Sequence, residues 1–173
     1  CIRDSHMEMR VDTWDTSSDR IEITFKEKYG DKYRTVYSIW MDCLLFQGKI
    51  GHPSHSGEHC DVVTCIAEHD NFPKWLKCFR GDYVDCLRDV QEGDTLKVVC
   101  HSHDGTYTSV ACARMISHIL CHKAKEPTHM QLKAWGKRGV CNGLCKDCNS
   151  YPCNASKQRA LAKVERMWKA LFK

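Results

Sequence analysis

The chain has 173 residues, a hydrophobic fraction of 42%, a charged fraction of 28% and a formal net charge of +4, an ordinary globular composition with length for one well-buried domain or a small domain plus an appendage. No stretch approaches the roughly 18 uninterrupted apolar residues of a membrane span, so a soluble protein is expected. The 13 cysteines and 10 histidines are unusual; an odd cysteine count, clustered with histidine and without a secretory apolar segment, favours reduced thiols and bound metal over a disulfide scaffold.

Residues 1–7 read as a cloning remnant, because Ser5-His6-Met7 has the appearance of a junction, and they carry no fold signal. Residues 8–19 are polar and read as a loose lead-in. Ile21, Ile23 and Phe25 alternate with polar residues, Tyr29-Gly30-Asp31 makes a turn, and Tyr33, Thr35, Tyr37 and Ile39 alternate again, the signature of a hairpin. Residues 41–50 continue as an apolar strand bending at Gly48-Lys49, and 51–59 are turn-rich. Residues 60–67 read as the next strand. Residues 73–84 read as another, with Trp75, Lys77 and Phe79 on one face and Leu76 and Cys78 on the other. A turn at Glu92-Gly93-Asp94 leads to a strand over 95–100, and Asp104-Gly105 to a strand over 107–115.

Beyond Ile119 the chain becomes basic, with 12 Lys and Arg against 3 Asp and Glu, a net of +9 that leaves residues 1–118 at −5. Such a segment suits phosphates or an acidic partner. Ala160, Leu161, Val164, Trp168, Leu171 and Phe172 then recur at helical spacing, with Asn154 or Ser156 as the cap.

Cys141, Cys145, Cys148 and Cys153 have the spacing C-x3-C-x2-C-x4-C in a loop that also holds Gly143, Asn149 and Pro152. Four thiolates so close suit tetrahedral zinc, and a four-ligand set leaves no position for water, so the ion is expected to be structural. Disulfides or free thiols are the alternatives, and Cys121, His122 or His129 are candidates to replace one member. His52, His55, His59 and Cys60 form a second, sparser cluster. In His101-Ser102-His103-Asp104 the Asp falls one place too early for an H-x-H-x-D metallohydrolase set and reads as a turn. No phosphate loop, nucleophile elbow or dinucleotide fingerprint is present, so no enzymatic activity is expected.

The succession Gly48-Lys49-Ile50, Pro53-Ser54-His55-Ser56-Gly57, Cys60 to Ile66, Trp75 to Gly81 and Glu92-Gly93-Asp94-Thr95-Leu96 resembles the first OB domain of the protection-of-telomeres family, over residues 44–119. The resemblance implies a five-stranded OB-fold barrel; with the hairpin, cysteine loop and helix read above, the expected fold is mainly β, an OB-fold domain over residues 8–120 with an N-terminal hairpin, followed by a basic extension over 121–173 with a Cys-rich zinc loop and a terminal α-helix. The resemblance also implies a nuclear protein of the chromosome end that binds G-rich telomeric single-stranded DNA and caps it. Phe79 matches the family's stacking aromatic, and stacking is worth about 1–3 kcal/mol per base. The expected nucleic-acid-binding residues are Trp75, Lys77, Phe79, Arg80, Tyr83, His55, His101, His103 and Tyr107.

Two other readings belong to different classes. Residues 145–162 are faintly similar to the zinc-plus-helix segment of lentiviral Vif proteins, with Lys157 where that helix has leucine, which implies an adaptor recruiting a protein partner through its C-terminal helix. A metal-dependent nuclease would rely on His101 and His103.

Overall fold

The computed structural model describes residues 8–14, 36–46, 54–90, 94–103, 105–120, 127–129, 135–136 and 139–173. Three seven-residue strands, β1 (Glu8–Trp14), β2 (Val36–Asp42) and β3 (Thr95–His101), join a two-residue β4 (Thr128–His129) in one sheet of order β2-β3-β1-β4. Every pairing is parallel, with Glu8 and Val36 both opposite Thr95, and Trp14 and Asp42 both opposite His101. Parallel neighbours need long crossovers, which are usually helical. Here α1 (Cys60–Glu68) and α2 (Phe72–Asp89) lie between β2 and β3, α3 (Thr108–Ile119) lies between β3 and β4, and α4 (Tyr151–Ala170) ends the chain.

This architecture replaces the expected five-stranded OB barrel. Of its strands, the one at 95–100 is present, whereas residues 60–67 and 73–84 fall in α1 and α2 and 107–115 form the N-cap and first two turns of α3. The strand expected over 41–50 ends at Asp42 and gives way to a 3-10 turn at Leu44–Phe46, and the lead-in contains β1. Tyr37 and Ile39, assigned to a hairpin, lie in β2 and pair in parallel with β3. The first arm of that hairpin, the Gly48-Lys49 bend, His52, Asp104 and residues 1–7 lie outside the described residues.

The physical reason is a competition of periods. In α2 the buried set is Phe72, Trp75, Leu76, Phe79 and Tyr83, a spacing of i, i+3, i+4, i+7 and i+11 that lines one helical face. The alternation of Trp75, Lys77 and Phe79 samples only part of it, and Lys77 is exposed. In α1 the β-branched run is overridden in the same way, because Val62, Val63, Ile66 and Ala67 face inward while Asp61, Cys65 and Glu68 face out. α3 is buried along most of its length, its Ser109, Ala111, Ala113 and Ser117 being small enough for neighbours to approach closely.

One core joins Ile39 and Met41 of β2, Leu96, Val98 and Cys100 of β3, and the inner faces of α1, α2, α3 and α4, including Ala160, Leu161, Val164 and Trp168 of α4. Trp168 stacks on Phe79 at 5.4 Å and meets Tyr83 edge-on at 5.8 Å. No helix among the described residues is long and apolar enough to cross a membrane.

Candidate metal centre

The loop after Val140 folds on itself before α4 begins. Gly143 sits at φ 84°, a left-handed conformation that glycine adopts without strain. A Cβ there would also lie 2.8 Å from the Glu58 Cβ, so the loop can lie on Glu58 only because position 143 has no side chain. The Asn149 amide donates to the carbonyls of Gly143 (3.1 Å) and Cys145 (3.0 Å), closing the turn that carries Cys145 and Cys148. Cys141 is placed from the other side, its N–H bonding the Ser54 carbonyl at 3.0 Å in a one-residue parallel bridge that sets it against His55.

Four ligand atoms converge there: His55 Nδ1 lies 3.2 Å from Cys141 Sγ, 3.4 Å from Cys145 Sγ and 3.5 Å from Cys148 Sγ, and Cys141 and Cys148 sulfurs are 3.6 Å apart. A tetrahedral ion with metal–sulfur bonds of about 2.3 Å and metal–nitrogen bonds of about 2.0–2.1 Å requires ligand-to-ligand edges of roughly 3.5–3.8 Å. The cluster therefore has close to the dimensions of a filled Cys3His site. His55 Nε2 faces the Asp147 carboxylate at 3.8 Å, on the side away from the sulfurs. A carboxylate in that position orients a ligating imidazole and raises its basicity.

The thiols are unequal. The Cys148 N–H bond to its sulfur lowers the Cys145 pKa, whereas burial, followed by the neighbouring Cys141 and Cys145, pushes Cys148 up. Three sulfurs this close resist ionising together, and a divalent cation removes the conflict. The set can thus hold a metal.

The expected fourth ligand, Cys153, is elsewhere. It lies on the first turn of α4 and groups with His59 and Cys60, its sulfur accepting the Cys60 N–H at 3.3 Å. Burial, then the hydrogen bond and charge of Cys153, push the Cys60 thiol up to about 12. His129, another candidate, faces Glu58 at 3.5 Å instead, and Cys121 and His122 lie outside the described residues. Sequence spacing missed His55 because it is 86 positions from Cys141; its only signal was membership of the sparser histidine cluster.

Compared with known proteins, the chain matches no family model, no curated protein and no solved structure.

The expected stacking platform is not assembled. Trp75, Phe79 and Tyr83 are buried in the core, and the Trp75 indole N–H donates to the Asp42 carbonyl at 2.9 Å. Half-buried Arg80 lies over the Phe172 ring at 4.8 Å, and Lys77 is exposed on α2. His101 ends β3, with His103 exposed and Tyr107 half-buried in the connection to α3, while His55 belongs to the metal cluster.

Proposed function

We propose that the chain is a zinc-stapled α/β module that binds nucleic acid, telomeric single strands among its candidate ligands, through phosphate contacts on α4. The donor set carries the choice of metal: three thiolates and one imidazole in a closed tetrahedral arrangement suit zinc, in a structural role. The observation that carries the binding reading is the outer face of α4. Arg159, Lys163 and Arg166 recur at i, i+4 and i+7 on α4, opposite the buried face of Cys153, Ala160, Leu161, Val164 and Trp168, and Lys173 lies just past the end of the helix. At about 1.5 Å rise per residue the helical part of the row is roughly 10 Å long, and Lys173 extends it, enough to follow several phosphates. Zinc holds the foot of this helix against the loop before α1.

Binding of this kind is salt-dependent and weak in base preference, because phosphates carry no sequence information directly. Fluorescence anisotropy against G-rich telomeric single strands, mixed single strands and duplex tests it. Four phosphate contacts on a single strand give a slope of log K against log salt of about −3, and Arg159→Glu with Arg166→Glu abolishes binding at moderate salt. No binding to any of these strands at low salt overturns the reading; a G-rich preference supports a role at chromosome ends.

A protein-adaptor role is the second reading, and the metal loop favours it over the helix stripe, which is buried. Leu144 and Tyr151 flank the zinc ligands at 76% and 85% exposure. In that case Leu144→Asp and Tyr151→Ala disrupt partner binding and the α4 charge reversals do not.

A further inference from the structure

His59, Cys60 and Cys153 are buried, and each offers a ligand atom within 4.8 Å of the others. They do not belong to the Cys3His set, although the His55 and His59 rings stack at 4.5 Å and bring the two groups side by side. From the geometry we propose a second transition-metal site in which His59, Cys60 and Cys153 bind a zinc-class cation and the Asp61 carboxylate completes the coordination. The three buried groups lie near the dimensions of such a site, and the exposed Asp61 side chain turns inward to close it. His59 Nδ1 is 3.9 Å from Cys60 Sγ, just beyond the roughly 3.3–3.8 Å edges of a filled four-coordinate S2NO set, while Asp61 lies beside the cluster, its Oδ2 3.6 Å from His59 Nδ1 and its Oδ1 3.6 Å from Cys60 Sγ.

The fold explains why anionic ligands collect there. His59 is the N-cap of α1, with Cys60 and Asp61 in its first turn, and Cys153 lies in the first turn of α4, three residues beyond its cap Ser150. Two helix N-termini thus face one spot, and the partial positive charge of each favours thiolate and carboxylate. The second ion clamps α1 directly to α4, whereas the first clamps the loops that precede them.

The second site is the weaker one. Its Asp61 side chain is 72% exposed, and the His59 Nδ1 already accepts the Asp61 N–H at 3.2 Å, a cap bond that metal binding at Nδ1 has to displace. A chelator therefore removes this ion first, and the site responds to free-metal concentration before the structural one does.

Cobalt(II) titration of the metal-free full chain, with native mass spectrometry after zinc loading, tests the proposal. The expected result is two ions per chain, with thiolate-to-cobalt absorption growing in two steps in a ratio of about three to two. Cys153→Ser leaves one ion and abolishes the smaller step. Asp61→Asn, a change on the surface, leaves the fold intact and speeds chelator release of the second ion at least tenfold. Saturation at one ion that Cys153→Ser retains and Cys145→Ser loses overturns the second site and leaves the first standing. Binding of no ion overturns both, and an unchanged release rate in Asp61→Asn overturns the assigned coordination.

Discussion

Gly57 links the metal centre to the helical core. Its N–H donates to the Thr106 carbonyl at 2.8 Å, and a Cβ there would lie 2.1 Å from the Tyr107 carbonyl oxygen and 2.6 Å from the Ala111 nitrogen. Both obstacles are backbone at the start of α3, so they cannot rotate away. Gly57→Ala is expected to cost at least about 1–3 kcal/mol and, because His55 is two residues away, to weaken metal binding as well; thermal unfolding and metal competition measure the two effects. Phe79, expected from the sequence to stack on bases, has no exposed surface. Phe79→Ala should lower stability by about 3–5 kcal/mol, whereas a stacking role predicts lost binding at unchanged stability. The core thiols Cys43 and Cys112 are raised above the ordinary range by burial. Their unfolded counterparts ionise near pH 8.5, so the folded state retains protons that the unfolded state loses. That stabilising contribution is complete below about pH 8.5 and declines above it, which urea unfolding at pH 7.5 and 9.5 will register as a lower midpoint at the higher pH.

At the scale of elements, α4 was legible because its apolar residues repeat only at helical spacing. Its start was not: Ser150 rather than Asn154 or Ser156 is the cap, with its hydroxyl accepting the Cys153 N–H at 3.3 Å. The earlier start adds a turn and points Cys153 away from the Cys3His cluster. α1, α2 and α3 were misread because β-branched and aromatic residues favour strands locally, while their burial follows the helical period. α2 carries a usable defect. Gly81 is interior to the helix, and a Cβ there meets nothing within 4 Å. Gly81→Ala should therefore stabilise the protein by about 0.5–1 kcal/mol through lower backbone entropy of the unfolded chain, seen as a higher melting temperature at unchanged metal content.

Across the molecule, the candidate metal ligands draw together segments that the hydrophobic core alone joins less directly: Ser54 to His59 before α1 and Cys141 to Cys148 before α4. An ion that binds only the folded state stabilises it by about 4 kcal/mol at a thousand times its dissociation constant. At about 2–4 °C per kcal/mol for a chain of this size, chelation should lower the melting temperature by roughly 8–16 °C, and restored zinc should recover it. Lowering the pH acts in the same direction, because protons compete with metal for the thiolates and imidazole.

Local chemistry in the sequence was enough to establish a cysteine loop suited to metal, the strand over 95–100, an amphipathic terminal helix and a basic final third, since each depends on residues close together in the chain. Tertiary structure alone decided that His55 lies with Cys141, Cys145 and Cys148, that Cys153 groups with His59 and Cys60, and that Trp75 and Phe79 pack inward. Those outcomes depend on which surfaces meet when helices cover a parallel sheet, and neighbouring residues carry little information about partners some ninety positions away.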